Sequence, residues 1–384
     1  MSRSSDAGHF FQTTSALNET ARKDLKSKNT SGDPIKLTSK ILAVALDPHN
    51  EGQFYVAEAA GTVKRINVKG RKISASYTGP TAPLTSLAIS TTSNTLFAGC
   101  WDKTIWSWAI ATRKPIRQFK GHTDFLKAVL VFTLEGKEVL VSASADASII
   151  VWDVATGETL HTLKGHTRGV LALTLDLTER DVKKDSVVIF SAGSDREIRR
   201  WSIGISSAFE IDATSDVASP IIAHETSVDS LRFDSDGDLW TASADKSVKC
   251  LSRNRNWEED TKLEHPDFVR DVVVEEDGGW VVTACRDEEV RVWDKASGKL
   301  HHVFSGHFEE VIGLLLLPGQ TVVSVSIDGT VRQWSLKAPD LAKAVQEAEE
   351  EKLGTAKEKE PEKQASLMTA EEEAELADML ADSD

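Results

Sequence analysis

Cysteine is scarce in this sequence, and its scarcity restricts where the protein works. Only three cysteines, Cys100, Cys250 and Cys285, occur in 384 residues. An odd count rules out a framework in which every cysteine pairs within the chain, and the spacing matches no zinc-binding pattern. We therefore expect free, reduced thiols, which are typical of proteins of the cytoplasm or the nucleus.

Long apolar runs are also missing. No stretch of the sequence approaches the roughly 20 apolar residues that a membrane-spanning helix needs. The first residues lack the apolar core of a signal peptide. We therefore expect neither a membrane-spanning segment nor a secretory leader.

Motifs that bind nucleotides or metals are absent too. The sequence contains no Walker A loop, no dinucleotide fingerprint and no cluster of histidine and cysteine at metal-ligand spacing. Asp234, Asp236, Asp238 and Asp245 imitate a calcium loop, but Leu239 stands where that loop requires glycine. We expect no cofactor and no metal, and we assign Asp234 to Asp238 to a hairpin turn.

Charge is unevenly distributed along the chain. The formal net charge is −15, and residues 338–384 supply −10 of it, with 15 acidic and 5 basic residues. The rest of the chain is only mildly acidic, so general binding to a phosphate backbone is not expected. Residues 1–33 are rich in serine, threonine and lysine and predict a disordered segment.

A turn residue followed six positions later by a large apolar residue recurs seven times. Each unit also carries short runs rich in β-branched residues, which favour strands. The turn positions are 60, 102, 146, 195, 245, 287 and 328, so the period is 41 to 50 residues. Five units have aspartate and tryptophan at these positions: Asp102/Trp108, Asp146/Trp152, Asp195/Trp201, Asp287/Trp293 and Asp328/Trp334. The fifth has Asp245/Leu251, and the first has Ala60/Ile66. A period of this length with short strands predicts an all-β propeller with one four-stranded blade per unit.

A histidine precedes the turn in five units, at His122, His166, His224, His265 and His307. Two units contain full Trp-Asp dipeptides, Trp152-Asp153 and Trp293-Asp294. The pattern resembles the WD40 repeat family, over roughly residues 35 to 337. The resemblance implies a seven-bladed propeller at residues 34–337, closed by an N-terminal strand at 34–38 that completes the last blade.

Histidine, hydroxyl and aspartate together imitate a catalytic triad, yet catalysis needs one such site and this set returns in every well-formed unit. The family resemblance implies a structural network instead, in which these groups and tryptophan brace each blade by hydrogen bonds. We therefore expect no enzyme activity. The network residues are His122, Asp146, Trp152, His166, Asp195, Trp201, His224, Asp245, His265, Asp287, Trp293, His307, Asp328 and Trp334.

The face around the central channel is where WD40 proteins commonly bind peptides and domains. Three positions of each unit reach it: three and five residues after the histidine, and one before the turn aspartate. Two clusters there suit binding hot spots, which favour aromatic residues and arginine. They are Trp101, Phe125 and Lys127 on adjoining blades, and Phe268, Arg270 and Arg286 on one blade. Two arginines favour an acidic or phosphorylated ligand.

Residues outside the repeats suggest further contacts. In the acidic tail, residues 338–350 predict a short helix and 366–380 an amphipathic helix. Its apolar anchors Leu376, Met379 and Leu380 either dock a partner or belong to a merely solubilising tail. The fourth unit has two insertions, at 176–186 between its first and second strands and at 204–220 between its third and fourth. These insertions predict either a second binding surface on the opposite face or loop growth that the fold tolerates.

The sequence therefore predicts a non-enzymatic scaffold that joins other proteins in a complex. The alternatives are a factor of RNA or ribosome assembly, a substrate receptor of a ubiquitin ligase and a reader of histone peptides. Fold alone does not distinguish them.

Overall fold

The computed structural model of the protein describes residues 14–358, apart from residues 177, 179–184 and 215–216. Twenty-eight strands in this part of the chain form seven sheets of four strands each. Six sheets take their four strands consecutively from the chain, in sequence order. The seventh has the order β1-β28-β27-β26, with its first strand taken from the start of the chain. The seven-bladed propeller predicted from the repeat spacing is confirmed.

The first three blades follow β1, which spans Ile35–Lys36. The first blade consists of β2 (Ile41–Leu46), β3 (Gln53–Glu58), β4 (Val63–Asn67) and β5 (Lys72–Tyr77). The second consists of β6 (Leu84–Ser90), β7 (Thr95–Cys100), β8 (Thr104–Ala109) and β9 (Pro115–Lys120). The third consists of β10 (Leu126–Leu134), β11 (Lys137–Ser144), β12 (Ser148–Asp153) and β13 (Thr159–Lys164).

The remaining four blades complete the ring. The fourth consists of β14 (Val170–Leu175), β15 (Ser186–Gly193), β16 (Ile198–Gly204) and β17 (Ala208–Glu210). The fifth consists of β18 (Val228–Phe233), β19 (Leu239–Ser243), β20 (Ser247–Ser252) and β21 (Glu258–Glu264). The sixth consists of β22 (Val269–Glu275), β23 (Trp280–Cys285), β24 (Glu289–Asp294) and β25 (Leu300–Ser305). The seventh uses β26 (Val311–Leu317), β27 (Thr321–Ser326), β28 (Thr330–Ser335) and β1.

Burial along the second blade explains which residues each strand needs. The innermost strand β6 alternates buried and half-buried residues, as expected when one face packs and the other lines a channel. All six residues of β7 are buried, because neighbouring blades cover both of its faces. The outer strand β9 is exposed except at Arg117, which is half-buried, and Phe119, which is buried. Apolar runs therefore belong to the inner strands and polar runs to the outer edge.

The last blade is completed by the chain's own beginning. Ile35 pairs with Val331 and Lys36 with Thr330 in antiparallel register. The backbone N–H of Gln333 donates to the carbonyl of Gly32 at 2.8 Å, which extends the contact beyond β1. The pairing with β1 covers the outer edge of β28, so the last blade has four strands like the other six.

The segment before β1 is ordered where the structure describes it. Residues Thr14–Lys26 form helix α1, and Arg332 binds the carbonyl oxygens of Asn29 and Ser31. The prediction that residues 1–33 are disordered is therefore wrong for residues 14–33. It failed because α1 is fixed by ion pairs to distant acidic side chains, which composition does not reveal.

In the fourth blade, the predicted position of one insertion is wrong. Strand β17 begins at Ala208, directly after the turn that follows β16, so residues 204–220 are not one loop between the third and fourth strands. The N–H of Ile211 donates to the carbonyl of Arg200, and Ile221 then bridges to Ile198. The extra residues therefore interrupt the outer strand and are inserted at the outer edge of the blade. The insertion at 176–186 does lie between β14 and β15, as expected.

Residues 338–384 form a second unit. Its described part is helix α2, Ala338–Glu358, which continues past the predicted end at residue 350. The tail-docking anchors Leu376, Met379 and Leu380 lie outside the described residues.

Candidate functional site

A β-bulge at the start of each innermost strand sets the shape of the channel mouth. In all seven blades the register between the first and second strands shifts by one residue at this point. Bulges of this kind redirect a side chain out of the regular alternation. The seven bulged residues all line a central channel of about 600 Å³. They are Leu42, Thr85, Lys127, Leu171, Asp229, Arg270 and Ile312.

Trp101 and Phe125 form one side of this face. Their rings are stacked, with centroids 5.2 Å apart and an interplanar angle of 21°. The two residues are 40% and 39% exposed. Their backbones are fixed, since the N–H of Trp101 donates to the carbonyl of Pro83 and the carbonyl of Phe125 accepts from Ala145. The third predicted member, Lys127, is half-buried in the channel wall.

Phe268 and Arg286 form a smaller aromatic contact on the sixth blade. The guanidinium of Arg286 lies over the ring of Phe268, 5.1 Å from its centroid. The N–H of Arg286 also donates to the carbonyl of Phe268 at 2.8 Å. Arg286 is exposed and makes no ion pair with any described residue. A cation stacked in this way keeps hydrogen-bond donors at its edge for a ligand.

Arg270 does not offer a free charge on this face. Its guanidinium is 3.0 Å from Asp229, and it also pairs with Glu310. Burial raises the pKa of the Asp229 carboxyl despite the nearby arginine. The prediction that both arginines favour an acidic ligand is therefore wrong for Arg270, because carboxylates of the two neighbouring blades already form ion pairs with it.

Helix α1 contacts the same region through charged side chains. Arg22 and Lys26 bind the carboxylate of Glu288 at 2.6 and 2.7 Å, and Lys23 binds Glu309 at 2.9 Å. Burial raises the pKa of Glu288, but its hydrogen bonds to Arg22 and Lys26 outweigh that effect and lower it. The repeat pattern does not predict this contact. The only local signal is a cluster of basic residues between Arg22 and Lys28.

The third, fourth and seventh blades contain the complete predicted network. In the seventh blade, His307 Nδ1 lies 3.0 Å from Asp328 and its Nε2 lies 2.8 Å from Ser324. The indole N–H of Trp334 donates to the same serine at 2.8 Å. Burial lowers the pKa of His307, which favours the neutral ring. Equivalent contacts join His122, Ser142, Asp146 and Trp152, and His166, Ser191, Asp195 and Trp201.

The fifth and sixth blades depart from this arrangement. In the fifth, His224 binds Asp245 and Thr241, while Leu251 fills the tryptophan position. In the sixth, Trp293 and His265 both bind Thr283, but the imidazole Nδ1 meets the carbonyl of Leu263. Asp287 binds Arg291 instead. The predicted contact between His265 and Asp287 is therefore wrong.

The three cysteines are buried, and the acidic cluster beside Cys250 is hydrogen-bonded within its own turn. All three cysteines are free. Burial raises the pKa of each thiol to about 12, so they are protonated at neutral pH. Asp234 lies close to Cys250, but its carboxylate already accepts hydrogen bonds from Trp240 and from two backbone N–H groups of its turn. Lys295 is a further cation beside it, at 3.2 Å.

Membrane insertion through a helix has no support in the part of the chain that the structure describes. Neither α1 nor α2 is long and apolar enough to cross a bilayer.

The sequence was compared with family models and with known proteins. The model described as WD domain, G-beta repeat, matches residues 71–109, 113–153, 157–202, 217–251, 258–294 and 298–335, together more than half of the chain. The chain belongs to the WD40 repeat family. The first match begins at residue 71, so it includes β5 but leaves the first three strands of the first blade uncovered, although the structure contains all four.

The family's relatives have varied names. An uncharacterized WD repeat-containing protein of Schizosaccharomyces pombe is 34% identical over 349 residues, covering 87% of this chain and 90% of that protein. The chromatin assembly factor 1 subunit FAS2 homolog of Oryza sativa is 28% identical over 38% of this chain and 31% of its own length. The tRNA (guanine-N(7)-)-methyltransferase non-catalytic subunit wuho of Drosophila pseudoobscura is 34% identical over 23% of this chain and 26% of its own length.

Proposed function

We propose that this WD40 protein is a non-enzymatic scaffold that binds partner proteins on the face carrying Trp101 and Phe125. The stacked, exposed pair is the observation that carries the proposal. Two exposed aromatic rings stacked on each other form a continuous apolar surface, and aromatic side chains contribute strongly to the energy of protein interfaces. The buried, protonated thiols support action in the cytoplasm or the nucleus.

The composition of the face favours a ligand with apolar anchors. Of the three cations predicted on this face, Arg270 is neutralised by Asp229 and Glu310 and Lys127 is half-buried in the channel wall, so Arg286 is the exposed one left for an acidic group. We therefore expect apolar side chains of the partner to contact Trp101 and Phe125, with at most one acidic contact at Arg286. The rice and Drosophila relatives are both named as subunits of larger assemblies, which supports a role inside a complex.

Co-purification of tagged full-length protein tests the proposal. We expect the double variant Trp101→Ala/Phe125→Ala to lose its specific partners, with affinity reduced about 30-fold or more, as for interface hot spots. The matched control is Ile73→Ala/Leu300→Ala, which removes two residues of similar exposure, 46% and 48%, from the outer strands of the first and sixth blades.

Both variants must first show the thermal stability of the wild type. Quantitative mass spectrometry then compares the three proteins. A partner set that is unchanged in the Trp101/Phe125 variant, or reduced equally in the control, contradicts the proposal.

A further inference from the structure

Three carboxylates form an acidic recess beside the sixth and seventh blades, consisting of Glu288, Glu289 and Glu309. Their side chains are 8%, 16% and 38% exposed. Glu288 occupies the left-handed position of its turn, with φ of 77°, where non-glycine residues are uncommon. A buried carboxylate at such a position needs a cationic partner, because an unpaired buried charge is strongly unfavourable.

Helix α1 supplies those cations, and none of its apolar side chains that the structure describes, within residues 17–26, is buried. Its contacts with the recess are ion pairs from Arg22, Lys23 and Lys26, whose side chains are 49%, 29% and 29% exposed. Leu17 and Leu25 of the same helix are 52% and 70% exposed. Because Leu17 and Leu25 are exposed, these ion pairs rather than buried apolar side chains fix α1, so it is held less firmly than the strands of the ring. A segment that displaces α1 must supply a cation to the buried carboxylate of Glu288.

One carboxylate oxygen of the recess has no hydrogen-bond partner while α1 is bound. Lys26 reaches one oxygen of Glu289 at 3.2 Å, while the other oxygen is buried without a hydrogen-bond partner. Buried acceptors are nearly always satisfied in folded proteins. A segment that brings one more donor to Glu289 would therefore fit the recess better than α1 does.

The attachment of α1 permits its release without opening the ring. Arg332 fixes the carbonyl oxygens of Asn29 and Ser31, and Gly32 accepts from Gln333. These contacts hold the chain just after α1, independently of the recess. The helix can leave while β1 stays paired with β28.

We propose that the acidic recess is a binding site for a lysine- and arginine-rich segment of a partner protein, and that α1 occupies it as an internal competitor. The charge of the recess fits such a segment and repels phosphate groups. The recess adjoins Arg286, which lies in the same turn as Glu288, so its occupant would contact the partner-binding face. This proposal rests on the proposed function only because it assumes that the segment bound in the recess belongs to a partner protein.

Binding of a peptide in trans tests the inference on the full-length chain. The probe is a fluorescently labelled peptide with the sequence of residues 14–28. The variant Arg22→Glu/Lys26→Glu releases α1 from Glu288. The control Lys28→Glu/Lys40→Glu makes the same charge change at exposed lysines that have no ion pair among the described residues.

We expect the released variant to bind the peptide at least about tenfold more tightly than the wild type or the control. Adding Glu288→Gln to the released variant should abolish that gain, and Glu309→Gln, at a more exposed position, should reduce it. Raising the ionic strength from about 0.05 M to about 0.5 M should weaken binding. The proposal is overturned if the wild type and the released variant bind equally, if neither binds, or if both glutamine variants bind as the released variant does.

The variant Trp101→Ala/Phe125→Ala separates this test from that of the proposed function. In the α1-released background these two substitutions should leave binding of the peptide unchanged. Failure of the aromatic pair to capture partners would therefore not affect the result for the recess, and failure of the recess would not affect the aromatic pair.

Discussion

The sixth and seventh blades share one sequence pattern and use it differently. Each has a histidine, an aspartate and a tryptophan at the repeat positions, and each has arginine four residues after the aspartate. In the seventh blade Asp328 binds His307. In the sixth blade Asp287 binds Arg291 and leaves His265 to a backbone carbonyl.

The difference follows from what else the arginine can reach. Arg332 of the seventh blade binds the carbonyls of Asn29 and Ser31, which the incoming N-terminal segment provides. Arg199, at the same register of the fourth blade, binds Glu197 and Glu210, so Asp195 stays with His166.

Glu289 stands at the register of Glu197 and is a nearby negative charge for Arg291, but its ion pair is with Lys26. The guanidinium of Arg291 instead donates two hydrogen bonds to Asp287 in its own turn. Whether the aspartate of a blade binds its histidine therefore varies with the other acceptors that bind the arginine.

Removal of the N-terminal segment is the strongest test of this comparison. Deletion of residues 29–38 takes away β1 and the acceptors of Arg332 together, leaving a buried guanidinium and an open strand edge. We expect the melting temperature to fall by more than about 10 °C. Deletion of residues 1–27, which removes α1 and leaves β1, should lower it by only a few degrees. Equal losses in the two truncations, measured by calorimetry, would show that β1 does not close the ring.

Much of this architecture follows from the sequence, because strand spacing is a local property. The aspartate-to-tryptophan interval identifies seven blades, including the first, where Ala60 and Ile66 keep only the register. The positions of Trp101 and Phe125 on the channel face follow from the same register. Their stacking confirms only that they are neighbours, and their binding role stays a prediction.

What the sequence does not reveal are contacts between distant segments. Neutralisation of Arg270 requires carboxylates on the fifth and seventh blades, and docking of α1 joins residues more than 260 positions apart. No periodicity predicts such pairs. For the same reason the sequence does not predict that Asp287 binds Arg291 rather than His265, because Arg291 and Arg332 occupy the same position of the repeat.

Histidine substitutions in the two blades should have unequal effects. His307→Ala removes three contacts and leaves Asp328, whose side chain is fully buried, with one partner fewer. We expect a loss of about 3 kcal/mol at pH 7.5. His265→Ala leaves the ion pair of Asp287 with Arg291 intact, and Thr283 keeps its bond to Trp293, so about 1 kcal/mol is expected. Urea denaturation of the two variants beside wild type measures both, and a larger loss for His265→Ala would contradict the comparison.

The smallest expected effect in this comparison is the pH dependence of folding stability that His265 of the sixth blade contributes. Burial, and next the nearby charge of Arg291, lower the pKa of His265 from 6.5 to about 4. Because the folded state disfavours protonation, the stability from this group is complete above pH 6.5 and decreases as the pH falls towards 4. His265→Gln should flatten the slope of stability against pH in this window.

Arg291→Ile gives this chain's sixth blade the residue that its third blade has at the same register, Ile150. Since the substitution removes the charge that opposes protonation, we expect the pKa of His265 to rise. Asp287, whose negative charge already favours protonation of His265, is then no longer paired with Arg291. NMR titration of the imidazole measures the change. An unaltered titration would mean that burial alone, and not the charge of Arg291, sets the protonation of this ring.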